Sequence, residues 1–519
     1  GPGASPAALG ATNRSRSMTA RIAWSYPRDM LRLLCPLLLL APAAFALQDT
    51  ALQGTAPQDA EGFPGDLTVS AEVGADELRG HVQALASDAM QGRAMGSEGS
   101  HATARYLAAR LAAAGFEPGA GEGSFLQRIP LQRVTYSGVP ELQVKGKGLD
   151  EVLYNGESFT FTSRGAVPGE PRSFKVQVVR EESDVPAEAS AGLALVMTTS
   201  AMKSRRWLSD AGHGRGEGFG MIVLPRKAKA RERSTPQGSS LGPVSSSGAA
   251  AVQLSLRGEW SERFSSGEVE EITLDAKASV EEGEDFNVVG FLKGAGSEDS
   301  PELAGEIVVL SAHRDHIGVS SRIQRGDPEA DAIMNGADDD ASGCAAVMEV
   351  AEALAAGDRP VRSVVAIFDT GEERGFVGSS YWVAHPTHSI DQVVCALNFE
   401  MLGRPDPLVG GPGNVWLTGD DRSDLGPELR KRGLAIKADL RPAMSFFTRS
   451  DNVPFAKAGI VAQTLSTYGE HADYHQPSDE WETLDYEHMQ TAVRVCLDVA
   501  RALADGPWRP TWNEGEPRL

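Results

Sequence analysis

Apolar positions along this chain recur in three textures, and the changes between them divide it. Leu78, Val82 and Leu85, then Tyr106, Leu107 and Leu111, follow helical spacing. They predict two helices, the second from about Ser100 to Ala114, with Ser100 as its cap and Gly115 as its stop. From about Val134 to Gly283 the pattern shortens to β-type runs, LALVMT (Leu193–Thr198), GMIVLP (Gly220–Pro225) and AAAVQL (Ala249–Leu254), joined by polar stretches such as Arg226–Ser247. After Asn287, continuous apolar runs of strand length alternate with helical segments. The predicted strands are Asn287–Leu292, Ile307–Leu310, Val364–Asp369, Val393–Phe399, Val415–Thr418 and Val461–Thr464; the predicted helices are Ala345–Ala355, Phe376–Val383, Asp424–Arg432 and Tyr486–Leu503. This alternation has the spacing of βαβ units and predicts an α/β fold, a three-layer, mostly parallel sheet with helices on both faces. The middle segment reads as a smaller β-rich domain inserted into it.

Length and composition refine the division. A chain of 519 residues accommodates two or three domains. Residues 1–17 precede the first methionine and read as an upstream remnant. Residues 18–46 carry Arg21, Arg28 and Arg32, an apolar run from Leu33 and then Ala44-Phe45-Ala46, the layout of a signal peptide cleaved near Ala46. The run is too short to span a bilayer, so no stable membrane insertion is expected and the protein is expected to be secreted or periplasmic. An N-terminal anchor is the alternative. Residues 47–73 form a linker, 74–133 and 284–506 the two parts of the main domain, 134–283 the insertion and 507–519 a tail. Lys+Arg 49 against Asp+Glu 71 leaves a net charge of −22, which argues against nucleic acid as a partner. Cys35 lies in the signal stretch, so Cys344, Cys395 and Cys496 remain and read as core residues rather than a disulfide set.

The chemistry gathers at strand ends. His313 and Asp315 follow the Ile307–Leu310 run, Asp338, Asp339 and Asp340 crowd the next loop, Glu372 and Glu373 follow Val364–Phe368, and Glu400 ends Val393–Phe399. The stretch GEHADYHQPSDE after Val461–Thr464 supplies His471, Asp473 and His475. In a parallel sheet these ends share one edge. Histidine with carboxylate and no sulfur suits Zn²⁺ first, with Mn²⁺ or Co²⁺ also compatible. Two histidines and three carboxylates exceed one tetrahedral zinc and fit two ions sharing a carboxylate, about 3.5–4 Å apart. The adjacent Glu372 and Glu373 then offer one base and one ligand.

HxD after a strand, GADDDASG, GEERGFVGS, NFEM and DYHQPSD, in this order, resemble the co-catalytic dinuclear zinc exopeptidases that include bacterial leucyl aminopeptidases, aminopeptidase Y and glutamate carboxypeptidase. The insertion resembles the protease-associated domain found in many of them. The resemblance implies a peptide substrate and two zinc ions, one held by His313, Asp339 and Glu400 and the other by Asp339, Glu373 and His475. It makes Glu372 the general acid/base and Asp315 the acceptor that orients His313. Two departures stand out. Arg314 replaces a usual Tyr, which is expected to alter the entrance without touching the ligands. Phe447 and Thr448 fall where relatives often place an oxyanion-stabilising tyrosine, leaving that donor unidentified.

The leading reading is an aminopeptidase. A carboxypeptidase or dipeptidase needs a cation for the substrate carboxylate, for which Arg314, Arg374, Arg404 and Arg449 lie near the motifs. A glutaminyl-cyclase-like acyl transferase and a non-catalytic binding protein are further alternatives. His316, His471 and Asp473 are expected behind the ligands or at the rim. Arg93 and Glu98 are expected in a solvated loop, and His81, His101, His213, His385, His388 and His488 at the surface or in packing roles.

Overall fold

The computed structural model describes residues 68–164, 170–186, 190, 192–198, 221–225, 232–233, 239–243, 251–514 and 517. The upstream remnant, the signal stretch with Cys35, most of the linker, His213 and most of 226–247 lie outside the described residues. Four parallel strands form the centre of the principal sheet: Ser363–Asp369, Ile307–His313, Val393–Glu400 and Ala462–Ser466, neighbours in that order. Ser363–Asp369 and Ile307–His313 are buried at every position, as expected of strands covered on both faces. Gly343–Ala356 and Tyr486–Ala504 pack on each other and on this centre, and Ala75–Leu85 packs on both. Val377–Ala384 and Asn452–Lys457 form a second helical layer against the same strands.

The flanks depart from the parallel pattern. Ala278–Leu292 runs antiparallel to Ser363–Asp369 and to Leu126–Tyr136, and Val415–Leu417 runs antiparallel to Ala462–Ser466. An apolar run has the same appearance in either direction, so its composition does not carry this difference.

Residues 141–275 contribute a second, eight-stranded sheet. Its own apolar core contains Phe159, Phe174, Trp260 and Phe264. Leu126–Tyr136 and Ala278–Leu292 pair in continuous register from Tyr136↔Ala278 to Leu126↔Val288, leading the chain out of the principal sheet and back to it. Val134 and Gly283, where the sequence texture changes, both lie inside these paired strands.

Local chemistry sets the helix ends. The second helix spans Glu98–Ala113, and its cap is Ser97, whose hydroxyl accepts from the Ser100 amide at 3.1 Å. Ser100 itself is buried and donates to Asp285 Oδ2 at 2.8 Å. Cys344, Cys395 and Cys496 are free and buried.

Two arginines expected near solvent or at the site entrance are instead buried braces. Arg93 donates to the carbonyls of Leu85, Asn335, Gly336 and Arg314 at 2.6–3.0 Å, tying the first helix to the loop that carries the aspartates. Arg314 alternates away from His313 and Asp315 because neighbours along extended backbone face opposite sides. It is fully buried, pairs with Asp285 at 2.5 Å and donates to the Ser100 carbonyl at 2.6 Å. His81 is buried too; its Nδ1 lies 2.7 Å from the Tyr106 hydroxyl, and burial pulls its pKa down to about 4, so the ring is neutral. Glu98 is exposed and pairs with Arg105.

Arg314→Met strands the Asp285 carboxylate in the core. Such a loss costs about 3–5 kcal/mol, read as a lowered urea midpoint; an unchanged midpoint contradicts the brace.

Candidate metal centre

Each central strand delivers a side chain to one edge. Ile307–His313 runs three residues past its apolar stretch, so His313 is the last residue of the strand, beside Asp369. Val393–Glu400 ends on Glu400. Glu372 and Glu373 occupy a short turn after Ser363–Asp369, and His475 follows Ala462–Ser466 with φ of 57°, a left-handed conformation uncommon for non-glycine residues.

The three consecutive aspartates separate. Asp338 accepts from the Gly403 amide at 2.8 Å and lies 3.1 Å from His471 Nε2, with Arg404 at 3.7 Å. Asp340 accepts from the amides of Gly343 at 3.0 Å and Met401 at 2.9 Å. Only Asp339 turns into the cluster, with Oδ1 3.1 Å from His313 Nε2 and Oδ2 3.1 Å from His475 Nε2. The amides of Asp338 and Asp339 donate to Asp479, which holds the loop. Gly336 precedes the aspartates at φ 57°, where a Cβ would meet the Asp339 carbonyl at 2.2 Å and the His316 ring at 2.6 Å.

Glu373 Oε1 lies 3.4 Å from His475 Nε2 and 2.9 Å from His316 Nδ1. Glu400 shares a cleft wall with Asp339 and Glu372, but its Oε2 accepts from Asn398 at 3.2 Å and from the Ser450 hydroxyl. The structure thus links His313, Asp339, His475 and Glu373 in a chain of contacts and sets Glu400 against Asn398 of its own strand and Ser450. Asp315 presents its carbonyl to His313 Nδ1 at 3.1 Å, with its carboxylate at 3.7 Å; that carboxylate also accepts from the Glu372 amide at 3.1 Å, so one residue touches both a candidate ligand and the candidate base.

His316 enters the cluster more deeply than its rank in the sequence suggested. Its signal was its position one residue beyond Asp315. His471 and Asp473 stand behind, as expected: His471 faces Asp338, and Asp473 lies 3.4 Å from Arg404.

Burial and like charge set the electrostatics. Burial pushes Glu372 well above the usual carboxylate range, His313 pulls the other way and Glu400 adds to the rise. Burial and then Asp339 raise Glu400 to about 8, against the opposing pull of His313. For Glu373, burial and Asp339 push upward but the close approach of His316 and His475 prevails, drawing it down to about 2. Burial alone would lower His313, yet its contacts with Asp315 and Asp339 raise it well above the ordinary histidine value. Buried His313 Nε2, both nitrogens of His316 and Glu373 Oε1 have no hydrogen-bond partner. Orphaned nitrogen and carboxylate donors gathered at one point are the donor set of a divalent cation.

Beside the cluster lies a cleft walled by Trp416, Phe446, Tyr468 and Tyr474 as well as the acids. Phe447 is buried against Trp512 and Thr448 is exposed; neither belongs to the cleft wall. Tyr474 stacks on His475 with centroids 3.9 Å apart.

Residues 287–500 match Peptidase family M28. The similarity to that family is confined to this part of the chain. This part contains every strand end that carries a candidate ligand. Among solved structures, an aminopeptidase from Aneurinibacillus sp. strain AM-1 is similar at 17% identity and a TM-score of 0.49, over 84% of this chain and 95% of that one. A zinc aminopeptidase from Bacillus subtilis is similar at 17% identity and 0.45, over 84% and 96%. A peptidase M28 precursor from Shewanella amazonensis SB2B is similar at 16% and 0.39, over 86% and 97%. Among the described residues, no helix is long and apolar enough to cross a membrane.

A divalent cation entering this cluster must displace protons from Glu400 and from the raised His313 and His475, so its affinity should climb between about pH 6 and about pH 8. Calorimetric titration at both pH values reads this; an affinity independent of pH contradicts the assignment.

Proposed function

We propose that the chain is a secreted zinc aminopeptidase that uses two ions. The observation that carries this reading is the contact between His313, Asp339, Glu373 and His475 at the wall of a cleft that also exposes Glu372. His313, Asp339 and Glu400 would hold one ion, and Asp339, Glu373 and His475 the other. Bound there, the pair supplies Lewis-acid polarisation of a scissile carbonyl and a water acidic enough to deprotonate near neutrality.

The chain's own residues do the rest. Glu372 takes the proton of the attacking water and returns it to the leaving amine. Asp315 fixes both ends of this machinery, limiting the rotation of His313 through Nδ1 and anchoring the Glu372 backbone. The acid-rich cleft favours the protonated N-terminus of a peptide, and its aromatic wall favours an apolar side chain behind that terminus. Tyr468 and Tyr474 bring phenol hydroxyls to the same wall as candidates for oxyanion stabilisation. We assign the second sheet as a protease-associated-like domain, and secretion from the signal pattern of residues 18–46.

Arg449 favours a second reading, a carboxypeptidase. Of the four arginines near the motifs, Arg314 is locked to Asp285 and Arg404 to Asp338 and Asp479, and Arg374 lies outside the cleft wall, whereas Arg449 is exposed and belongs to it. Matched peptides blocked at either end separate the two: loss of cleavage on N-acetylation supports the aminopeptidase, and loss on C-amidation the carboxypeptidase.

Glu372→Gln should lower kcat by roughly 10²–10⁴-fold while two metal equivalents remain bound, whereas Asp339→Ala should release metal. Turnover near that of the unmodified protein in the Gln variant, or full metal content in the Ala variant, would sink the mechanism.

A further inference from the structure

The three-ligand assignment leaves one imidazole without a task. We infer that His316 is a fourth protein ligand of the ion held by Asp339, Glu373 and His475. The inference rests on the two-ion reading and goes beyond it, because it makes the two positions unequal.

His316 is buried, and its Nδ1 lies 2.9 Å from Glu373 Oε1 and 4.0 Å from Asp339 Oδ2. One donor atom from each of His316, Asp339 and Glu373 lies within 4.8 Å of the others, the spacing of a metal-binding group. The ring packs edge-on to His475, with centroids 5.5 Å apart and planes at 76°. Its place is built on two sides. Its amide donates to the Arg93 carbonyl at 3.4 Å, and the ring abuts Gly336, where no Cβ could fit.

A hydrogen bond from Nδ1 to Glu373 is the competing role. The contact is close enough, but Nδ1 and Glu373 Oε1 both remain without a hydrogen-bond partner. A neutral imidazole offers one donor and one lone pair, and here neither ring nitrogen is satisfied. A cation between Nδ1, Glu373 and Asp339 satisfies all three at once.

The consequence is an asymmetric pair. With His316, the second position has four protein ligands, the closed arrangement of a tightly held ion. The first, with His313, Asp339 and Glu400, has three and keeps an open coordination position. The two ions should therefore leave in separate phases under a chelator, the His313 ion first.

The test uses the full chain loaded with Co²⁺, whose visible absorption reports coordination, in the unmodified protein and in His316→Ala. Two bound equivalents released in two phases are expected for the unmodified protein. The variant should bind the tighter equivalent at least tenfold more weakly, with an altered spectrum for that ion. A weakened affinity with an unchanged spectrum would assign His316 the hydrogen bond to Glu373 and overturn the ligand. Unchanged affinity and spectrum would overturn it as well, leaving the two-ion reading intact. Fewer than two equivalents in the unmodified protein would overturn the two-ion reading, and His316 as a ligand with it. X-ray absorption of the unmodified zinc protein needs no variant to fold: three imidazoles shared by two ions support the inference, and two contradict it.

Discussion

Crowded negative charge at one edge of a sheet is the constraint on which the rest of this structure depends. Parallel strands set side by side must end on the same side, so His313, Glu400 and the turn after Asp369 meet whatever their separation in sequence. Asp339 is brought among them by the following loop. Burial keeps water from screening these groups, and the strain appears as carboxyls pushed upward at Glu372 and Glu400 beside a Glu373 pulled low by two imidazoles. Such an edge is stable only where protons or cations compensate it, and that demand links the fold to metal chemistry.

The surrounding chain supplies part of the compensation. Arg93 and Arg314 place guanidinium groups beneath the site without entering it, one on backbone carbonyls and one on Asp285. Arg404 and His471 face Asp338 from behind. Asp340 accepts two backbone amides and serves the loop rather than the cluster. A triplet of identical acids is thus resolved into three roles by where donors stand around it. The second sheet is joined through two long paired strands, whose continuous register carries the chain from one apolar core to the other.

The sequence by itself determined the central strands, their alternation with helices and the kinds of residue that end them. These follow from local rules, since an apolar run of strand length followed by ligand-type side chains is visible within a few residues. It also singled out Asp339 and paired Glu372 with Glu373, through a resemblance that depends on motif order and not on contacts. Tertiary structure decided what packs against what. It buried Arg93 and Arg314, moved the helix cap to Ser97, ran the flanking strands antiparallel, turned Glu400 towards Asn398 and Ser450, and brought His316 against Glu373. None of these follows from spacing, because an arginine or a histidine has the same letter at a surface and in a core. The desolvation and partners that assign its role exist only once distant segments have closed around it.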